Sequence, residues 1–164
     1  MIRICTENDF DVIREIINDA AIAYKGVIPD DRWHQPYMTH GQLEGEIEDG
    51  VVFFGCEAEG TLMAVMGIQD RGDVCLIRHA YVRTAQRNRG LGTRLLAFLE
   101  STTAKPLLVG TWAAAGWAIA FYQKNGYRLL PRRQKDRLLR AYWKIPRRQA
   151  ETSVVLASPR WVDL

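Results

Sequence analysis

Apolar positions recur along this chain with two periods, and the switches between them mark out its elements. Ile2 and Ile4 alternate with polar neighbours and predict a short first strand. Phe10, Ile13, Ile16, Ile17, Ala20 and Tyr24 return at helical spacing, with Thr6 placed to cap that helix, Asp9 in its first turn and Gly26 past its end. Residues 24–38 show no period and read as an aromatic-rich loop bounded by Pro29 and Pro36, and Leu43 and Ile47 predict a short helix closed by Gly50. Val51 to Glu57 and Thr61 to Gln69 are apolar runs split by Ala58-Glu59-Gly60, the text of a hairpin. The turn Asp70–Asp73 leads to a third strand of the meander, Val74 to Val82.

The pattern then turns helical at Leu91, Leu95 and Leu99. Leu107 to Thr111 is apolar without alternation, which suits a buried central strand. Strand, helix and strand in this order imply a parallel pair with a right-handed crossover. A helix from Ala114 to Asn125, a strand from Tyr127 to Leu130, a helix from Lys135 to Trp143 and a strand from Thr152 to Ala157 complete the chain.

The stretch from Tyr81 to Thr93 carries the first chemistry. A strand enters it, a helix leaves it, and Arg87-x-x-Gly90-x-Gly92 lies between. The first amides of a helix lack intrahelical partners, and with the helix dipole they attract anionic oxygen. Glycines keep side chains out of the way of a ligand lying on the backbone, and Arg83, Arg87 and Arg89 are expected to add charged donors around it. The spacing therefore predicts a diphosphate cradle. No Lys follows Gly92, which excludes a Walker loop, and Leu95 stands where the dinucleotide fingerprint needs a small residue.

Arg87-x-x-Gly90-x-Gly92 after a strand and opening a helix resembles the acetyl-CoA motif of the GCN5-related N-acetyltransferases (GNAT). A second stretch, Trp117-Ala-Ile-Ala-Phe-Tyr-Gln-Lys-Asn-Gly-Tyr127, resembles the later helix-and-strand motif of the same family. The likeness covers residues 1 to about 130, and residues 131–164 follow the family pattern less well. It departs at Ala115, where the family often has Asn. The resemblance implies a single α/β (α+β) domain over 1–164, built on a mixed, mostly antiparallel sheet of about six or seven strands, flanked by helices and splayed at the acetyl-CoA site.

It also implies a function. An acetyl group would pass from acetyl-CoA to a primary amine by direct attack, the acceptor being a small molecule or a peptide. The diphosphate would lie on Arg87, Asn88, Arg89, Gly90, Leu91, Gly92 and Thr93, with Lys124 beside it and the pantetheine along Tyr81 and Val82. A backbone N–H near Val82 is the expected donor to the acetyl oxygen. Because a free N–H there needs an interrupted ladder, a bulge or splay is expected against the strand at Leu107–Thr111. Tyr122 matches the family's proton donor to the departing sulfur, and a phenol with an ordinary pKa near 10 keeps its proton at neutral pH. Tyr24, Trp33, His34, His79 and Trp112 are the candidates for the acceptor side, with His79 or His34 as base. A catalytically idle CoA-binding or protein-interaction module, or transfer of another acyl group, stays open beside this reading.

Composition narrows the picture further. A chain of 164 residues with 48% hydrophobic content is one globular domain. No apolar run spans a membrane, and the N-terminus lacks a signal-peptide layout, so a cytoplasmic protein is expected. Cys5, Cys56 and Cys75 are widely spaced and read as small apolar residues, neither a disulfide framework nor, without a His pair, a metal site. A net charge of +3 suits a polyanionic co-substrate without requiring nucleic acid. Residues 128–148 hold nine Lys or Arg against Asp136 alone, which reads as a solvated or subunit-facing surface and leaves a homodimer open.

Overall fold

The computed structural model describes residues 1–163. Seven strands, β1 (Ile2–Ile4), β2 (Val52–Ala58), β3 (Thr61–Asp70), β4 (Cys75–Val82), β5 (Leu107–Trp112), β6 (Arg128–Leu129) and β7 (Ser153–Ala157), form one sheet in the order β1-β2-β3-β4-β5-β7-β6. Every neighbouring pair is antiparallel except β4–β5, as the crossover argument requires. The helices are α1 (Phe10–Ala21), α2 (His40–Glu48), α3 (Leu91–Ser101), α4 (Gly116–Lys124), α5 (Arg132–Tyr142) and α6 (Arg147–Glu151). Glu59 and Gly60 form the two-residue hairpin turn, both at positive φ, which matches the twist of the flanking strands.

The sheet is buried on both faces. Cys75 and Ile77 of β4 face α3 and α4, joining Leu95, Leu96, Leu99 and Tyr122 in one cluster. Val74 and Leu76 point the other way, against Leu138 and Leu139 of α5. On that second face α1 and α2 pack Ile13, Ile16, Ile17 and Leu43 against Phe53, Leu62 and Val65. Cys56 and Cys75 are buried, Cys5 is half-buried, and all three are free thiols. Among the described residues no helix is long and apolar enough to cross a membrane.

The alternation along β4 breaks at His79. Arg78 pairs with Gly67 and Tyr81 with Val65, so two residues of β4 oppose Met66 alone. His79 takes φ +52, and the bulge reverses the faces that follow. Ile77 looks toward α3, yet Tyr81, four residues on, packs with the α1 cluster. Beside the bulge, where β3 pairs with Arg78, only glycine fits, because a Cβ at Gly67 would sit 2.8 Å from the Arg78 carbonyl oxygen.

Several boundaries differ from the sequence reading. Thr6 precedes a short 3-10 turn (Glu7–Asp9) rather than α1 itself, and its backbone N–H donates to the Asp9 carboxylate at 2.8 Å. α5 begins at Arg132, because its first turn is basic and carries no apolar signal. α6 has no buried residue, so periodicity had nothing to register. β7 inserts between β5 and β6, a return over α5 and α6 that local pattern does not encode.

The N-terminal edge is pinned by Arg3, which donates to both Asp9 oxygens at 2.9 Å and to Glu57 at 2.8 Å. The Arg3 hydrogen bonds hold the Asp9 carboxyl down, at about 2 rather than 3.8. A depressed carboxylate stabilises the fold fully above its unfolded value, and that contribution is lost as pH falls through its folded one. Arg3→Leu should therefore lower the melting temperature at pH 6 by about 2–4 °C, on the basis of about 1 kcal/mol for such a contact. The deficit should shrink as the pH approaches 2, and calorimetric scans at pH 6, 4 and 2 would show it.

Candidate active site

The centre of the sheet is open. β4 and β5 pair at Cys75–Leu107, Leu76–Leu108 and Ile77–Val109 and then part. β5 continues along β7 to Trp112, while β4 continues along β3 to Val82. The splay expected from the sequence is thus present. The Arg83 N–H donates to the Met63 carbonyl at 2.9 Å, on the β3 side. Successive amides of a strand alternate between its two edges, so the Val82 N–H points toward the split.

The loop after β4 is built as a donor surface. Asn88 and Gly90 take left-handed backbone conformations, φ +63 and +76, around the start of α3. From Asn88 to Thr93 no backbone N–H has a partner among the described residues, and the first bond into the helix is Arg94 N–H to the Gly90 carbonyl at 3.1 Å. Six successive free amides at a helix N-terminus form an anion-binding concavity. Arg87, Arg89 and Lys124 line the same cleft. Arg83 does not: its side chain turns back to Glu15 at 2.6 Å and the Leu62 carbonyl at 2.8 Å, because the carboxylate of α1 lies on that side.

A cleft of about 580 Å³ runs from this loop into the split. Its walls include Tyr81, Val82, Gly90, Leu91, Gly92 and Tyr122. Tyr122, on α4, is 5% exposed and packs edge-on against Phe121, with ring centroids 5.0 Å apart. Its hydroxyl has no hydrogen-bond partner among the described residues, and burial pushes its pKa well above the usual phenol value. The phenol is therefore a neutral donor facing open space. Trp117 at the start of α4 stacks on Tyr24 in the 3-10 turn that follows α1, with centroids 5.8 Å apart, and both line the cleft.

Tyr24 and Tyr81 separate this cleft from a second, smaller cavity of about 120 Å³, which both residues also line. His79 and Trp112 belong to the smaller cavity, together with Tyr37, whose hydroxyl accepts the Trp112 indole N–H at 3.0 Å. Burial raises the Tyr37 phenol to about 12. Trp33 and His34 line neither cavity; both rings stack on Tyr37 from behind, at 5.9 and 6.2 Å.

Glu46 of α2 is the residue that the sequence did not announce. Its Oε2 lies 2.7 Å from His79 Nε2 and accepts from Arg78 Nη2 at 2.7 Å. Burial would raise the Glu46 pKa, but the bond from His79 and the charges of His79 and Arg78 outweigh it and hold the group below its ordinary value. An ionised carboxylate on Nε2 selects the tautomer with its proton there and leaves Nδ1 as the acceptor. Arg78 is fixed further by Gln69 Oε1 at 2.8 Å, and burial lowers its pKa. Two adjacent strand residues reach one carboxylate only because the bulge turns both to the same side. Among the described residues no group of three or more His, Cys, Asp or Glu is placed to hold a metal ion.

Solved GNAT acetyltransferases share the architecture described above, a mostly antiparallel sheet with helices on both faces. This chain has that fold, and its residues 49–129 match the family model described as Acetyltransferase (GNAT) domain. Among solved structures it is similar to the PaiA N-acetyltransferase of Thermoplasma acidophilum in complex with coenzyme A, at 16% identity and a TM-score of 0.72, over 96% of this chain and 97% of that one. An acetyltransferase of the GNAT family from Staphylococcus aureus Mu50 follows at 17% identity and a TM-score of 0.70, again over 96% and 97%. The ribosomal-protein-S18-alanine N-acetyltransferase of Escherichia coli is similar over 99% of this chain and 95% of that one, at 16% identity and a TM-score of 0.68. No match was found among curated protein sequences.

Proposed function

We propose that this protein transfers an acetyl group from acetyl-CoA to a primary amine. The observation that carries the reading is the run of unpartnered amides from Asn88 to Thr93 at the mouth of the split. It supplies the donors that a diphosphate needs, with Arg87 and Arg89 on its flanks and Lys124 across the cleft. The co-substrate supplies a thioester, an acyl group already activated toward an amine.

The residues of the chain supply the rest. The Val82 N–H, aimed into the split, donates to the acetyl oxygen as negative charge grows there. The amine sheds its ammonium proton to Nδ1 of His79, which Glu46 holds in the accepting tautomer. One C–N bond forms and one C–S bond breaks. Tyr122 gives its proton to the sulfur and recovers one from the nitrogen through solvent, so the net release is one proton. Tyr24, Tyr37 and Trp112 border the space where the amine would stand, with Trp33 and His34 supporting Tyr37.

Titration calorimetry with coenzyme A and thiol release from acetyl-CoA over a panel of amines test this directly. Binding with amine-dependent thiol release is expected; no binding would defeat the reading. Glu46→Gln should lower kcat/KM by on the order of tenfold, the small end of what a proton-transfer partner contributes, and leave coenzyme A affinity unchanged. Its pH–rate profile should shift relative to the parent, a change that loss of packing alone would not produce.

A further inference from the structure

The lining of the smaller cavity selects among amines. Its ionisable groups, phenols apart, are Arg78 and His79, and no carboxylate is part of it. Glu46, the nearest acid, is already shared by those two side chains. A second ammonium would stand beside a guanidinium with no counter-charge, a burial that proteins avoid. A lone amine that arrives neutral, or gives its proton to His79, meets no such penalty.

The rest of the wall sets rings and aliphatic groups (Tyr37, Trp112, Leu139) beside Thr111, Gln149 and Ser153, and it closes from above. Trp143, just after α5, lies over β5, and a Cβ at Gly110 would be 3.4 Å from its ring. Ile145 and Gln149 continue that roof. Two ion pairs fasten the segment: Lys144 to Asp49 after α2 at 3.0 Å, and Arg148 to Asp31 in the 24–38 loop at 3.3 Å. Trp143, Ile145 and Gln149 therefore decide how large an acceptor can be. With about 120 Å³ below Trp143, against about 580 Å³ for the neighbouring cleft, the body that fits is compact.

We infer that this roofed cavity at the open end of the β4–β5 split is the acceptor subsite, and that it takes a compact monoamine with an aromatic or branched aliphatic body rather than a diamine or a peptide. The inference rests on the acetyl-transfer reading above. Rings on facing walls suit such a body, because flat and branched apolar groups gain contact without needing polar partners.

The test compares benzylamine and isoamylamine with 1,4-diaminobutane and an alanyl tetrapeptide, by thiol release from acetyl-CoA on the full chain. The monoamines should lead in kcat/KM by about tenfold or more, the discrimination available when a competitor leaves a charge unpaired. Trp143→Ala should narrow that lead over the peptide while calorimetry shows coenzyme A binding unchanged. Ile145→Ala, a smaller cut in the same roof, should act in the same direction if Trp143→Ala fails to fold. Equal or better turnover of the diamine or peptide overturns the inference, as does a ratio unmoved by a folded roof variant. Coenzyme A binding with none of these amines acetylated also overturns it, whereas failure to bind coenzyme A would defeat the cofactor reading instead.

Discussion

Tyr122→Phe should lower kcat by about 10²-fold or more while changing coenzyme A affinity less than about twofold, the signature of a lost proton donor. The ring stays, so its packing against Phe121 and Tyr127 is retained. Among the described residues the hydroxyl makes no hydrogen bond, so its removal leaves no partner unsatisfied and the fold should be as stable as before. What disappears is the proton available to the sulfur as the C–S bond breaks. Burial raises the Tyr122 pKa above that of a free phenol, so deprotonation of this group should not reduce kcat anywhere between pH 7 and 10. Steady-state thiol release over that range, with calorimetry beside it, checks both statements. A variant that loses turnover and coenzyme A binding together would assign Tyr122 to packing instead.

Gly90→Val should raise the dissociation constant for coenzyme A by about tenfold or more. Gly90 stands at the N-cap of α3 with φ +76, a region that costs a side-chain-bearing residue about 1–2 kcal/mol and a β-branched one most. No neighbouring atom lies within 4 Å of an added Cβ, so the penalty comes from the backbone and not from a clash. Relieving it means rotating the peptide units on either side, and those carry the free amides of Asn88 to Thr93. Each 1.4 kcal/mol lost there is a factor of ten in affinity. Calorimetric titration of the variant measures it, and an unchanged dissociation constant would detach the diphosphate from this loop. Gly92 is a different case: a Cβ there would meet the Phe121 ring at 3.1 Å, so substitution would disturb the helix that bears Tyr122.

Much of the architecture was legible because neighbouring residues write it. β2 and β3 announce themselves through apolar runs around a two-residue turn, and α1 through Ile13, Ile16 and Ile17 on one face. The crossover through α3 follows from strand, helix and strand in succession, and it makes β4–β5 the one parallel pair. Arg87 to Thr93 could be read as an anion cradle because a helix start bares its amides whatever the rest of the chain does. Arg83 departs from the expected role for the converse reason: a long side chain beside the cradle is free to turn, and Glu15 lies where it turns.

The sequence by itself determined β1 to β5 and α1 to α4 in chain order, the bare amides of the turn before α3 and the place of Tyr122 on α4, since each depends on spacing within a dozen residues. Only the tertiary structure decided which side chains gather around the smaller cavity. Glu46 meets His79 across 33 positions, and the Trp143 roof meets Gly110 across the same number, so no local period records either contact. The bulge at His79 reverses the faces of β4, which is invisible where Cys75, Leu76 and Ile77 are apolar on both faces. Local pattern sets which backbone groups lack partners, whereas long-range packing sets which side chains converge on the space beside them.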